Sequence, residues 1–138
     1  MSLILEGEVA ARREFSDADL AALPGQENVA EKIPGKDGRG VRLRSILDAA
    51  KTSSRAKWAT LASTDGFAIC VPLDAIAGNA LVAYGIPESK GGPMRFYVID
   101  VAACGTAEVD ACANVKKLAR ITLTSERVPD VGHDHTKK

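Results

Sequence analysis

Two basic side chains beside turn sequences in the C-terminal half of the chain could bind an anion. Arg95 follows the glycine-proline turn 91–94 and begins an apolar stretch that predicts a buried strand. Lys116 follows a second loop, at the predicted start of a short helix. Fixed cations at converging loop ends are the groups that a phosphate requires. The alternatives are an exposed arginine in a surface ion pair and, for Lys116 and Lys117, the solvated face of a helical turn.

The cysteines and histidines leave several interpretations open. Cys104 and Cys112 flank a loop and could be buried thiols, a disulfide, or metal ligands together with His133 and His135. Most zinc sites use more closely spaced cysteine pairs, which favours the first two interpretations. Cys70 lies in a predicted strand and is expected in the core. No catalytic residue and no metal ligand is assigned, because both histidines lie in the tail, away from any nucleophile motif.

Length and charge exclude several classes of protein. The chain has 138 residues, 18 Lys and Arg, and 18 Asp and Glu, so it lacks the excess positive charge of nucleic-acid-binding or membrane-surface proteins. No stretch is long enough to span a membrane, and no Gly-x-Gly-x-x-Gly or Walker-type loop follows a predicted strand. The N-terminus has no signal-peptide pattern, but an exported origin stays open, so both cytoplasm and periplasm are kept.

The hydrophobic pattern predicts one mixed α+β domain built from short elements. We expect this domain to span residues 1–124 and to be followed by a polar, mobile tail over 125–138. Ser16 and Asp19 predict a capping box, and the glycine- and proline-rich stretch 26–40 predicts a long surface loop. Helices are predicted at 17–23, 41–51, 73–77 and 115–119, and strands at 3–9, 57–62, 67–71, 80–84, 94–99 and 120–124.

Short motifs follow one another along most of the chain. They are Gly7-Glu8-Val9, Phe15-Ser16 with Asp19-Leu20 and Leu23-Pro24, Gly40-Val41-x-Leu43 with Ile46-Leu47, Asp65-Gly66-Phe67, Val71-Pro72-Leu73, Leu81-x-x-Tyr84, Gly92-Pro93-Met94-Arg95, and Asn114-Val115-Lys116-Lys117-Leu118. In this order and spacing the chain resembles the molybdopterin-binding domain of the sulfite oxidase family. The resemblance implies that family's α+β fold, with mixed β-sheets and short helices.

The resemblance also implies a molybdopterin cofactor, or a similar small anionic ligand, held by loop residues. By motif, Arg95 and Lys116 stand at two of the family's cofactor-binding positions. Lys90 stands near the place where the family usually has a histidine, and we expect it to join them. Lys117 stands where the family often has a tryptophan, which changes the shape of the pocket.

The resemblance leaves the metal without its usual ligand. The family's enzymes bind molybdenum through a cysteine thiolate in the loop that here spans 26–39, and this loop contains no cysteine. A carboxylate or amide does not replace a soft thiolate at a redox metal. The leading hypothesis is therefore a molybdopterin-binding-like domain without oxidoreductase activity. The alternatives are a molybdenum-dependent oxidoreductase with a non-cysteine ligand and a ligand-free accessory or interaction domain.

Overall fold

The computed structural model describes residues 2–33, 35–36, 38–99 and 114–128. Over these residues the strands are β1 (Leu3–Gly7), β2 (Arg13–Phe15), β3 (Gln26–Asn28), β4 (Arg39–Arg42), β5 (Trp58–Ser63), β6 (Ala68–Pro72), β7 (Ala80–Tyr84), β8 (Arg95–Val98), β9 (Asn114–Val115) and β10 (Leu118–Thr124). The helices are α1 (Asp17–Ala21), α2 (Val29–Lys32), α3 (Leu43–Ala49) and α4 (Leu73–Ile76), and Glu88–Lys90 forms a 3₁₀ turn.

The strands form two five-stranded sheets. The first has the order β2-β1-β10-β5-β6, and the second has the order β3-β4-β7-β8-β9. In the first sheet β1 and β10 run parallel, with Leu5 beside Ile121, and the other pairs are antiparallel. All pairs of the second sheet are antiparallel. The predicted α+β fold with mixed sheets and short helices is therefore confirmed.

One apolar cluster joins the two sheets. It contains Leu5 and Leu61 of the first sheet and Val82 and Phe96 of the second, all fully buried. Alternate residues of a strand face opposite sides, so β1 buries Leu3 and Leu5 while its other residues stay partly exposed. This shared core fixes the position of one sheet relative to the other.

Helix α1 has the cap, and helix α3 the apolar spacing, that the sequence predicts. Ser16 Oγ accepts a 3.1 Å hydrogen bond from the Asp19 amide, and the Asp19 carboxylate accepts a 3.0 Å bond from the Ser16 amide. The predicted capping box is therefore present. The bond from the Ser16 backbone is the largest influence that lowers the pKa of Asp19. Helix α3 buries Leu43, Ile46 and Leu47, which lie on one helical face.

The prediction of a surface loop over 26–40 is wrong. This stretch contains strand β3 and helix α2, and it ends in the first two residues of β4. Val29 is fully buried, and Ile33, one helical turn later, packs in the same cluster. The predicted helix at 41–51 begins at Leu43, because Val41 and Arg42 still pair with β7 in the second sheet.

The predicted helical turn at 115–119 is also wrong. Val115 ends β9, and β10 begins at Leu118, so two residues in a turn connect the second sheet to the first. Val115 and Leu118 are both buried, and two buried residues three positions apart are typical of one face of a helix. In the structure each of them belongs to a different sheet.

The described part of the predicted tail, residues 125–128, lies against the first sheet. The Arg127 guanidinium lies 5.8 Å from the centroid of the Trp58 ring. The Val128 amide donates a 3.3 Å hydrogen bond to Sγ of Cys70, which is buried as predicted. In the portion of the chain that the structure describes, no helix has the length and apolar character needed to cross a membrane.

Candidate anion and cofactor site

The turn between β7 and β8 places the predicted arginine. The Lys90 and Gly92 amides both donate to the Pro87 carbonyl, at 2.9 and 3.1 Å, and the Ile86 amide donates to the Pro93 carbonyl at 3.1 Å. The Gly92–Pro93 peptide is cis. These bonds fold residues 86–93 back on themselves at the start of β8.

Two glycines in this turn admit no side chain. A Cβ on Gly92 would lie 1.9 Å from the Ile86 carbonyl oxygen. Gly91 has φ +90°, and a Cβ there would lie 2.9 Å from Cγ of Lys116. The glycines therefore let the turn approach both its own backbone and the side chain of Lys116.

Arg95 is the buried cation of the site. Its exposed fraction is 5%, so the expectation of an exposed arginine at the surface is wrong. Its Nη1 donates a 2.8 Å hydrogen bond to the Lys90 carbonyl, and its Cζ lies 5.1 Å from the centroid of the Tyr97 ring. A guanidinium held by a hydrogen bond and an aromatic face has a fixed orientation.

Lys116 and Lys117 form the turn between the sheets, and they have different neighbours. The Lys117 amide donates 2.7 Å to the Gly91 carbonyl, and its carbonyl accepts 3.0 Å from the Thr64 amide. Lys117 has φ +53°, which turns the chain sharply. Lys116 is exposed and lies beside Gly91. The alternative of a solvated face on a helical turn is therefore wrong about the helix, but its prediction of an exposed lysine agrees with the structure.

The charge of Lys117 acts on Asp65 in the turn 64–66. The pKa of Asp65 is lowered chiefly by a hydrogen bond from the Ser63 hydroxyl, next by the Phe67 amide, and to a smaller extent by the charge of Lys117. Gly66 has φ +96°, as the predicted turn requires. The charge of Lys117 therefore acts at the Asp65 turn, while the side chain of Lys116 lies beside Gly91.

A single cavity of about 360 Å³ brings the three predicted site residues together. Its lining consists of Gly35, Lys36, Ile86, Ser89, Lys90, Gly91, Arg95, Tyr97 and Lys116. We call this cavity the cation pocket, because four of these nine described residues are basic and none is acidic.

A small apolar cluster underlies the cation pocket. Tyr97 and Ile86 line the pocket and also pack with Val29, Ala83 and Ile33. The segment that carries Lys36 therefore rests on the same cluster as β8. Sequence reasoning did not assign Lys36 to the site, although the apolar pair at 29 and 33 could have indicated an anchored helical turn instead of a free loop.

A second groove, of about 390 Å³, lies between α3 and α4 and has a different character. Its lining includes Arg44, Lys51 and Lys57, but also Asp48 and Asp74. Opposite charges offset one another there, so the groove lacks the single sign of charge that distinguishes the cation pocket.

The residues of the cation pocket fit a phosphate-bearing cofactor. Fixed and mobile cations converge on a cavity whose size lies within the range of small-ligand sites. In the described part of the chain, no three His, Cys, Asp or Glu side chains come together in a way that could hold a metal. Cys104, Cys112, His133 and His135 lie outside the described residues, so their interpretations remain predictions.

Two packed sheets with a basic pocket beside the turn that opens β8 define an α+β domain with a candidate anion site. A family model described as the oxidoreductase molybdopterin binding domain matches residues 36–131, and the chain belongs to this family. Lys36, Lys90, Arg95 and Lys116 all lie within the matched range.

The crystal structure of the sulfane dehydrogenase SoxCD from Paracoccus pantotrophus is similar to this chain. The TM-score is 0.63 at 16% identity, over 93% of this chain and 39% of the SoxCD chain. At this identity the likeness shows the fold alone, and the chain spans about two fifths of the length of that protein. A comparison with curated protein sequences found no significant match.

Proposed function

We propose that the domain binds the phosphate end of a molybdopterin-type cofactor in the cation pocket, through Arg95, Lys116 and Lys90. The observation that carries this proposal is the one-sided charge of the pocket: four cations and no described carboxylate surround about 360 Å³. The family model supports the cofactor class, because it matches the part of the chain that contains these residues.

Electrostatics favours an anion in this position. Two like unit charges 4 Å apart in water repel by about 1 kcal/mol, and the repulsion is larger beside a buried group. A phosphate dianion offsets this repulsion, and it accepts charge-assisted hydrogen bonds from the guanidinium and the ammonium groups. Arg95 supplies the preorganised donor, while the exposed Lys90 and Lys116 can adjust to the ligand.

The backbone of the glycine turn supports the same ligand. Gly91 and Gly92 let the turn lie directly against the Lys116 side chain and the Ile86 carbonyl, which keeps Lys116 beside the pocket. Tyr97 offers an apolar wall beside the guanidinium.

We further propose that the chain has no oxidoreductase activity of its own. When bound, the cofactor supplies the redox centre through its molybdenum, and residues 26–39 contain no cysteine to ligate that metal. In this chain, helix α2 and the segment after it present Lys36 to the pocket instead. The protein's own contribution is binding and orientation.

The test is cofactor retention. Protein purified from a host that makes the cofactor is analysed for pterin, by fluorescence after oxidation, and for molybdenum, by elemental analysis. We expect pterin in the wild-type protein and less than a tenth of that amount in Lys116→Gln, the loss expected from one charge-assisted contact of about 1.5–3 kcal/mol. Lys117→Gln is the matched control and should retain pterin, because Lys117 faces the Asp65 turn.

Three results contradict the proposal in different ways. Wild-type protein without pterin from a competent host would refute cofactor binding. Equal pterin in Lys116→Gln and wild type would move the site away from the cation pocket. Stoichiometric molybdenum together with substrate oxidation would replace the proposal with an enzyme that uses a non-cysteine metal ligand.

A further inference from the structure

Lys36 enters the cation pocket from a segment that the other three cations do not share. Lys90 lies in the glycine turn, and its carbonyl accepts the hydrogen bond from Arg95. Lys116 is held beside the same turn by the hydrogen bond from the neighbouring Lys117 amide to the Gly91 carbonyl. Lys36 comes from residues 29–38, whose ends are joined by a 3.0 Å hydrogen bond from the Val29 amide to the Gly38 carbonyl. The pocket thus receives positive charge from three separate parts of the chain: the segment of Lys36, the glycine turn with the start of β8, and the turn at Lys116.

The structure holds Lys36 in place. Its amide donates a 3.1 Å hydrogen bond to the Ile33 carbonyl, and Ile33 packs on the apolar cluster below the pocket. Lys36 is half-buried, whereas Lys90 and Lys116 are exposed. Lys32, in the same segment, is also half-buried but does not line the pocket. Lys36 therefore differs from Lys32 because its side chain lines the pocket, although the two residues have the same charge and similar burial.

Charge and size together suggest two anionic groups in one ligand. A single phosphate carries at most two negative charges at neutral pH, fewer than the four cations that line the pocket. The cavity of about 360 Å³ lies in the range that accommodates ligands much larger than a phosphate ion. A phosphate held by the glycine-turn cations leaves Lys36 available for a second group.

We infer that Lys36 is a specificity-determining residue that binds a second anionic group, so that the pocket selects ligands with two linked anionic groups over a single phosphate. The ligand class is a phosphate compound with a second, linked negative group, and inorganic diphosphate is its simplest model. This inference rests on the proposed function, because it needs the glycine-turn cations to hold the first phosphate.

The experiment compares two probes, orthophosphate and diphosphate, by isothermal titration calorimetry at matched ionic strength and pH. Wild-type protein should bind diphosphate about tenfold more tightly than orthophosphate, the factor that one additional charge-assisted contact gives. Lys36→Gln should lose this preference while its orthophosphate affinity changes by less than about twofold. Lys32→Gln is the matched control from the same segment and should behave as the wild type does.

Lys116→Gln separates a specific second position from a general response to charge. It should weaken both probes by a similar factor, because it removes a cation from the first position. If Lys36→Gln also weakens both probes equally, or keeps the diphosphate preference, the inference is overturned while the proposed function stands. If neither probe binds the wild-type protein, or Lys116→Gln binds both normally, the proposed function fails and the inference fails with it. Thermal melts of each variant check that the fold is retained.

Discussion

Arg95 combines burial with charge. It is 95% buried, yet it keeps a hydrogen bond to the Lys90 carbonyl and a place over the Tyr97 ring. A buried cation is costly unless its surroundings compensate for the loss of water. A backbone carbonyl and an aromatic face contribute to this compensation, and both also restrict the orientation of the guanidinium.

Replacing Arg95 by lysine should therefore impair both stability and binding. A lysine ammonium cannot reproduce the planar guanidinium, so the hydrogen bond to the Lys90 carbonyl is lost. The loss of a hydrogen bond from a charged group lowers the free energy of unfolding by about 1.5–3 kcal/mol. Urea denaturation should show this decrease in the free energy of unfolding for Arg95→Lys. Arg44→Lys, at an exposed position of α3, is the control and should change it by less than about 0.5 kcal/mol. Equal stability of the two variants would show that the fork has no structural role.

Asp65 makes a prediction about pH. Its pKa is lowered in the folded protein, first by the Ser63 hydroxyl. The unfolded chain therefore binds more protons than the folded protein in acid. The stability that the ionised Asp65 contributes is present above the unfolded pKa and is lost as the pH falls through the lower, folded pKa. Asp65→Asn should show a smaller fall in melting temperature between pH 6 and pH 2.5 than the wild type. Asp74→Asn, the same change of charge on α4, should follow the wild-type curve more closely; identical curves for Asp65→Asn and wild type would contradict the assignment.

The residue scale also shows what the sequence could predict. Arg95 and Lys116 stand beside turn-forming residues, so local pattern and family resemblance were enough to nominate them, and Lys90 followed from the resemblance. Lys36 has no local pattern of this kind. It reaches the pocket because Val29 and Ile33 pack on Tyr97, a contact between residues more than sixty positions apart in the numbering. Such a contact cannot be read from spacing along the chain.

At the scale of the element, the glycine turn 86–93 has little freedom to vary. Gly92→Ala would place a Cβ 1.9 Å from the Ile86 carbonyl oxygen, and a backbone atom cannot move aside as a flexible side chain can. We expect a loss of about 1–3 kcal/mol, the usual cost of overpacking, measured by urea denaturation. Gly78→Ala is the matched control because a Cβ there meets nothing within 4 Å. A Gly92→Ala variant as stable as Gly78→Ala would refute the close approach.

Elements with a complete local pattern were predicted well. The capping box of α1 and the strand β7 were found with the right residues, because a cap and an apolar run bounded by turns are each specified nearby. The prediction of a helical turn at 115–119 is wrong because two buried residues three positions apart, Val115 and Leu118, give the same pattern in a helix and in two strands joined by a short turn. Which sheet each residue joins is decided by partners elsewhere in the chain.

At the scale of the whole molecule, the N-terminal residues belong to the same core as the pocket. The family model begins at residue 36, yet β1 lies between β2 and β10 in the first sheet. Leu3 and Leu5 are fully buried in the cluster that also holds Phe96 of the second sheet. The N-terminal strand β1 therefore packs in the same core as residues that the family model matches.

Leu5→Ala should therefore destabilise the entire domain. Removal of a fully buried leucine side chain costs about 2–5 kcal/mol, and the loss should appear in a single cooperative unfolding transition. Ile4→Ala, on the other face of β1 and only half-buried, is the control and should cost less. Two separate transitions, with residues after 36 unfolding normally in Leu5→Ala, would show that the N-terminal strands form an independent unit.

The two-residue turn at Lys116 and Lys117 has one more consequence. The Lys117 amide donates to the Gly91 carbonyl, and the Lys117 carbonyl accepts from the Thr64 amide. The next amide, that of Leu118, donates to the Met94 carbonyl, so segments from both sheets meet at one backbone crossing. Local opening at this crossing would have to separate the sheets themselves. Deuterium should therefore enter the amides of Lys117 and Leu118 only when the whole domain unfolds, and an anion bound beside them should slow that exchange as strongly as it slows global unfolding.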